Sequence, residues 1–243
     1  MLAFPCHLFC RGKHTMKKKD KNKPAVTMYP NARRPVTASV NVLKQSKNDK
    51  IADKGKLPII KKNKFKGAVI FTLTLEERAT CPSYCRHWDD CYGNNMAWAH
   101  RFAHGAELEN KLEQEVAELC ATYKSIIIRL HVLGDFYSVQ YVRLWHKLMT
   151  KYDNMAVWGY TGYRPDSDIG KALLYNYQRF GMRWSVRFSD AKDIQFAAMS
   201  AEVSKPVKGQ SFICPEQTGA ASNCANCTLC WQQPDQQVIF LTH

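Results

Sequence analysis

The sequence predicts an α/β fold with a mostly parallel sheet, preceded by a basic N-terminal arm and followed by a cysteine-rich region. Three observations lead there. Apolar, β-branched runs alternate with helical patterns from residue 67 onward, as βαβ units do. The formal charge of +14 is unevenly placed: residues 1–66 carry 18 Lys+Arg against 3 Asp+Glu, and residues 67–243 carry 17 against 18. Seven of the ten cysteines form two tight groups, Cys81, Cys85 and Cys91 after the first strand and Cys214, Cys224, Cys227 and Cys230 near the C-terminus. The expected organisation is therefore a flexible arm over 1–66, an α/β core with a three-cysteine loop over 67–205, and a four-cysteine metal-binding region over 206–243.

Residues 1–66 are rich in Lys, Asn and Pro and poor in periodic apolar positions, so at most one short element is expected there, at Thr37 to Leu43. Lys17, Lys18, Lys19, Lys21 and Lys23 typify a segment drawn to nucleic acid or another polyanion, or one that only solubilises the chain. The opening stretch lacks acidic residues, and translation from Met1 or from Met16 is left open. There is no secretory pattern of an apolar core with a small-residue cleavage site, so the cysteines are expected in a reducing, cytoplasmic compartment. No apolar run approaches the ~20 residues that span a bilayer, and no membrane partner is expected. Cys6 and Cys10 are assigned no role.

AVIFTLTL (68–75) reads as a strand buried on both faces, and the Cys-, Pro- and Asp-rich run 80–95 as the loop leaving it. A helix is expected from about Met96 to Tyr123, with a break at Gly105 and Leu108, Leu112, Val116 and Leu119 on one stripe; Cys120 beside that stripe is expected in the core. SIIIRLHVL (125–133) is the second strand, Val139 to Tyr152 the second helix, MAVWGYT (155–161) the third strand, and Ile169 to Phe180 the third helix. MRWSVRF (182–188) is the fourth strand, and short strands are expected at Ser211–Ile213 and Val238–Leu241. In a parallel sheet the loops leaving the strands share one rim. The cysteine loop, Gly134-Asp135-Phe136, Thr161 to Arg164 and Ser189-Asp190 should converge there.

Three thiolates leave a tetrahedral ion or a cubane cluster with one open position, whereas four close it. The C-x3-C-x5-C group is thus the candidate reactive centre, and C-x9-C-x2-C-x2-C the candidate structural or electron-relay centre, holding a [4Fe–4S] cluster or zinc. Trp231 is placed to shield the latter from water. Tyr84, His87, Trp88, Tyr92, Trp98, His100 and His104 crowd the first group, with His100 and His104 four apart on the expected helix as a polar face.

The three-cysteine loop after the first strand resembles the radical S-adenosylmethionine superfamily, although the spacing common there is C-x3-C-x2-C. That resemblance implies a partial (β/α)6-type barrel, one or two [4Fe–4S] clusters, S-adenosylmethionine as cofactor, and an external electron donor. It also implies cofactor cleavage to a deoxyadenosyl radical. Gly134 and Asp135 stand where those proteins bind the cofactor amino group, and Ser185 and Arg187 where its carboxylate or ribose would lie. TCPSYCRHWDDCYGN, RLHVLGDFYSVQYVRLW and CANCTLCW together resemble a phage family called gene product 88-like, which implies a phage origin and carries no established reaction. Three readings follow: an iron–sulfur enzyme acting on a nucleotide or nucleic acid, a non-catalytic zinc or iron–sulfur nucleic-acid-binding protein, and a redox-sensing scaffold.

Overall fold

A computed structural model of the chain describes residues 26–189, 191, 198–200, 205–232 and 236–241. Its strands and helices in chain order are β1 (Arg33–Arg34), β2 (Lys44–Gln45), β3 (Val69–Thr72), β4 (Arg101–Phe102), α1 (Ala106–Thr122), β5 (Ile126–Leu130), α2 (Val139–Lys151), β6 (Met155–Thr161), α3 (Asp168–Phe180), β7 (Trp184–Phe188), β8 (Ala198–Ser200), β9 (Ser211–Ile213), α4 (Cys224–Cys227), α5 (Leu229–Gln232) and β10 (Gln237–Phe240). The main sheet has the order β2-β3-β5-β6-β7, with β2 antiparallel at one edge and the other four parallel. A second, all-parallel sheet has the order β8-β10-β9, and β1 pairs with β4.

Side chains alternate across a strand, and here the two sets pack against different partners. Val69, Phe71, Ile126, Ile128, Val157, Trp184, Val186 and Phe188 form one core with Leu108, Leu112 and Val116 of α1, Val142, Trp145 and Leu148 of α2, and Leu173 of α3. The alternate residues Ile70, Ile127, Ala156 and Trp158 form a second core with Ile51, Ala52, Ile60, Ala225 and Trp231. All three long helices therefore lie on one face of the sheet. The other face is covered by the segment around residues 51–60 and by the four-cysteine segment.

The helices begin where their caps dictate. Ser138 accepts the Tyr141 amide at the start of α2, and Ser167 accepts the Gly170 amide at the start of α3, each satisfying an amide that the first turn leaves unpaired. Gly105, at φ 130°, ends the preceding extended segment, and Glu107 and Glu109 lie in the first turn of α1, where the helix dipole favours negative charge. No helix among the described residues is long and apolar enough to cross a membrane.

Several expectations are corrected. The helix expected from Met96 begins at Ala106; residues 92–95 form a 3-10 turn and Arg101–Phe102 pair as strand β4, so His100 and His104 precede the helix and share no helical face. Cys120 lies half-buried at the margin of the helix-side core. The five-stranded sheet does not close into a barrel among the described residues.

The largest correction concerns the arm, whose residues 1–25 lie outside the described residues. Residues 26–66 are packed: Val42, Leu43, Ile51, Ala52 and Ile60 are buried. The buried Glu115 carboxylate on α1 accepts the Val42 and Leu43 amides at 2.7–3.1 Å, which fixes the chain as it enters β2. Ile60 exchanges backbone hydrogen bonds with Gly67 and Ala68, folding 60–68 into a tight loop ahead of β3.

Candidate metal centres

The first cysteine group leaves from the carboxyl side of β3, and its loop is held from below by a buried ionic network. Arg101, fully buried, pairs with the buried Glu77 carboxylate at 2.6 Å and donates to the carbonyls of Gly93, Met96 and Ala99. Thr27 donates its hydroxyl to the other Glu77 oxygen, and Arg78 donates to the Asn94 side chain and the Trp88 carbonyl. One arginine thus pins three carbonyls on the loop that carries Cys91. Sequence reasoning missed both Glu77 and Arg101; the signal available was the pair Glu76-Glu77 directly after a buried strand, where uncompensated acids would be costly.

Gly134 and Asp135 are brought to this group. Gly134 has φ 80°, and a Cβ there would stand 2.6 Å from Thr80 Oγ1 and 2.7 Å from Leu75 Cβ, so only glycine lets this turn close. The buried Asp135 accepts the Phe136 amide on Oδ1 and the Gly162 amide on Oδ2, each at 2.7 Å, and its own amide donates to Thr80 Oγ1. It therefore staples the loop after β5 to the loop after β6, directly behind the cysteine loop. A Cβ on Gly162 would touch Cys85 Sγ at 3.4 Å and Asp135 Oδ2 at 3.7 Å, which locates the thiol and the carboxylate on the same glycine. Burial pushes the Asp135 carboxyl up to about 7, against the opposing pull of its hydrogen bonds from Gly162, Phe136 and Thr161.

The thiols of the first group act on one another. Burial pushes Cys81 well up, with Asp135, Cys85 and Cys91 adding to the rise; Cys85 is pushed to about 11 by burial, then by Asp135 and Cys91, and Cys91 is raised by burial. Backbone groups of Arg78, His87 and Gly93 hydrogen-bond to the three sulfurs in turn and favour their thiolate forms. Tyr84 packs edge-on against Tyr163 and lies under Arg164 at 4.7 Å, making an aromatic wall beside the loop. Tyr84 and Tyr92 are half-exposed and Trp98 is 94% exposed. His104 packs on Tyr137 rather than on the cysteines, and His100 faces Arg34.

Ser185 and Arg187, expected to reach a cofactor at the first group, belong instead to the second. Both project from β7 toward the covered face. Ser185 donates to the Cys230 carbonyl at 2.5 Å, Arg187 donates to the same oxygen through Nε and Nη2, and its Nη1 donates to the Gln236 carbonyl at 2.6 Å. Tyr160 of β6 donates its hydroxyl to Cys230 Sγ at 3.4 Å. Trp231 packs on Trp158 at 4.6 Å, and Arg129 lies over the same Trp158 ring. The indole thus covers the sheet next to the cysteines, as a shield from water requires.

Burial raises all four thiols of this group, Cys224 to about 12, and each is raised further by at least one of the others. Opposing that rise, Arg187 and Arg129 act on Cys230, Arg129 on Cys224, and Lys62 on Cys227. Charges of both signs lie around each group: Asp135, Glu77 and Asp90 with Arg78 at the first, and Arg129, Arg187 and Lys62 with Glu216 at the second.

Among the described residues, no three His, Cys, Asp or Glu side chains gather around one point as ligands of a single ion. The donor chemistry of both groups nevertheless suits a soft metal or an iron–sulfur cluster. Backbone donors at the first group, and Arg129, Arg187 and Lys62 at the second, favour the ionised forms of the sulfurs, as such a metal requires. Buried thiols with raised pKa values need such a cation to ionise. Comparison of the chain with protein-family models, with curated proteins and with solved structures finds no match.

Proposed function

We propose that the chain is an iron–sulfur protein with two unlike centres. Cys81, Cys85 and Cys91 would hold a [4Fe–4S] cluster with one open position, and Cys214, Cys224, Cys227 and Cys230 would hold a closed structural or electron-relay cluster, with zinc as the alternative metal there. The observation that carries this reading is the separation of the groups. The three-cysteine set lies at the carboxyl ends of parallel strands beside Asp135 and Gly162, where α/β folds bind ligands, while the four-cysteine set is packed against the face opposite the long helices. The three long helices α1, α2 and α3, all on one face of the parallel strands, suit a segment of a (β/α) barrel, and that supports the likeness to radical S-adenosylmethionine proteins.

When bound, such a cluster supplies an electron and a coordination position for the cofactor. The chain's own residues set the surroundings. Asp135 locks two rim loops together behind the cysteines, and each of its oxygens accepts one backbone amide and keeps capacity for a second donor, so it would offer a cofactor amino group a preorganised acceptor. Tyr84, Tyr163 and Arg164 wall one side of the loop and limit water there.

Anaerobic purification followed by iron, acid-labile sulfide and zinc analysis tests the reading. The parent protein should contain iron and sulfide for two clusters, or for one cluster with one zinc. Cys85→Ala should lose the iron of the first centre alone, and Cys227→Ala the metal of the second. Colourless protein with zinc in both centres, or with neither metal, overturns it.

A further inference from the structure

The loop between Ile60 and Ala68 reads Lys-Lys-Asn-Lys-Phe-Lys-Gly, with four exposed lysines and no acid. It is an ordered tip. Asn63 adopts φ 68° and Gly67 φ 90°, the Lys66 amide donates to the Asn63 carbonyl at 3.0 Å, and the Ala68 amide donates to the Phe65 carbonyl at 2.9 Å. Lys61 pairs with Asp53 at 2.7 Å, and among the described residues Lys62, Lys64 and Lys66 have no acidic partner. Lys44, Lys47, Lys50, Lys54 and Lys56, all exposed, extend the same charge along the preceding segment.

The tip is tied to the four-cysteine segment. Asn63 donates its side-chain amide to Thr228 Oγ1 at 2.7 Å, and the Lys61 amide reaches the Ala225 carbonyl. The Cys224 and Ala225 amides donate to the carbonyls of Lys50 and Ile51 at 2.9 Å, and Asn223 donates to Asp53 at 2.8 Å. Phe65 is partly buried and packs against the core that contains Ile60 and Ala225. The lysines thus stand on a platform whose other half is the cysteine segment.

We infer that this lysine tip is a duplex-nucleic-acid surface that reads phosphates without base sequence, and that the four-cysteine centre holds its shape. Four exposed lysines within six residues on an ordered turn offer the positive charge that the dense negative charge of a duplex backbone attracts, where each neutralised phosphate releases counterions. A bilayer would need apolar side chains on the tip to insert, and the only one, Phe65, is partly buried against the core. The surface stands on the lysines alone, whereas the coupling rests on the four-cysteine centre proposed above.

Fluorescence anisotropy with a labelled DNA duplex, titrated over salt, tests both parts on the full chain. The triple variant Lys62→Gln, Lys64→Gln, Lys66→Gln should bind about tenfold more weakly or worse. Its log–log salt slope should be shallower by about 2.7, at ~0.9 for each phosphate that a lysine no longer neutralises. Removal of residues 1–25 should change the slope less than the triple variant does. An unchanged slope in the triple variant, or binding of anionic vesicles in place of duplex, overturns the surface. For the coupling, Cys227→Ser should lose metal and duplex affinity together. Asn63→Gly, which keeps the left-handed turn and removes the tether to Thr228, should weaken binding with the metal retained. Undiminished binding in Asn63→Gly, or in metal-free folded Cys227→Ser, overturns the coupling and leaves the surface standing. Absence of metal from the parent would sink the two-centre reading without touching the lysine result.

Discussion

The two cysteine groups are built in opposite ways. Cys81, Cys85 and Cys91 ride on a loop whose backbone is pinned by a buried ion pair, Glu77 with Arg101, and stapled behind by Asp135. Cys214 follows β9, and Cys224, Cys227 and Cys230 sit on the short helices α4 and α5, where Ser185 and Arg187 hold the Cys230 carbonyl with Trp231 and Trp158 alongside. Burial raises the thiols of both groups; Asp135 adds to the rise at Cys81 and Cys85 while Arg78 opposes it at Cys91, whereas Arg129, Arg187 and Lys62 oppose it at the second group and Glu216 adds to it at Cys214. The difference shows how one sheet can serve two sites. Its carboxyl rim offers loops that can be aimed, and the face opposite the long helices offers an apolar surface against which the four-cysteine segment packs.

Breaking the support of each group separately is the sharpest way to test this contrast, and the largest effect should come from the first. Arg101→Leu leaves the buried Glu77 carboxylate with only the Thr27 hydroxyl and the more distant Arg78, at 3.9 Å, and breaking a buried pair in this way typically costs about 3–5 kcal/mol. Denaturant unfolding should show that loss, and iron should leave the three-cysteine group before the other. The double variant Glu77→Leu, Arg101→Leu should recover much of the stability, because the stranded charge is gone. A single variant as stable as the parent would show that the loop is held by something else.

A smaller effect is expected at the second group. Arg187→Met keeps the apolar stem and removes three donated hydrogen bonds, so stability should fall by about 1.5–3 kcal/mol, the usual worth of a hydrogen bond to a charged group. Metal at the four-cysteine centre should pass to a chelator faster, with the three-cysteine centre unaffected. Equal loss from both centres would contradict their independence.

What the sequence made legible was whatever is encoded locally. Ile126-Ile127-Ile128 announces a buried strand, the apolar spacing of Val142, Trp145 and Leu148 a helix, and the cysteine spacings two groups. The missed features depend on partners far along the chain. The packing of residues 26–66 turns on Glu115 reaching Val42 and Leu43 from a helix over 70 residues later, and on isolated Ile51 and Ile60 in a lysine-rich stretch whose composition argues for disorder. Strand alternation left Ser185 and Arg187 open to a cofactor or to solvent; only the path of the last forty residues decides that both are buried against Cys230. The premature helix start at Met96 fails for a similar reason: Arg101 draws the carbonyls of Gly93, Met96 and Ala99 onto itself and holds the segment in turns.

The central claim, one open and one closed centre, is tested most directly by the electron paramagnetic resonance spectrum of the reduced, iron-loaded protein with and without S-adenosylmethionine. The account predicts that the cofactor shifts the spectrum of the parent. The shift should persist in a Cys227→Ala protein that retains its first cluster, and vanish in Cys85→Ala while the signal of the C-terminal centre, if iron, is unchanged. A fully loaded parent whose spectrum ignores the cofactor, or a shift that follows Cys227 rather than Cys85, would contradict it.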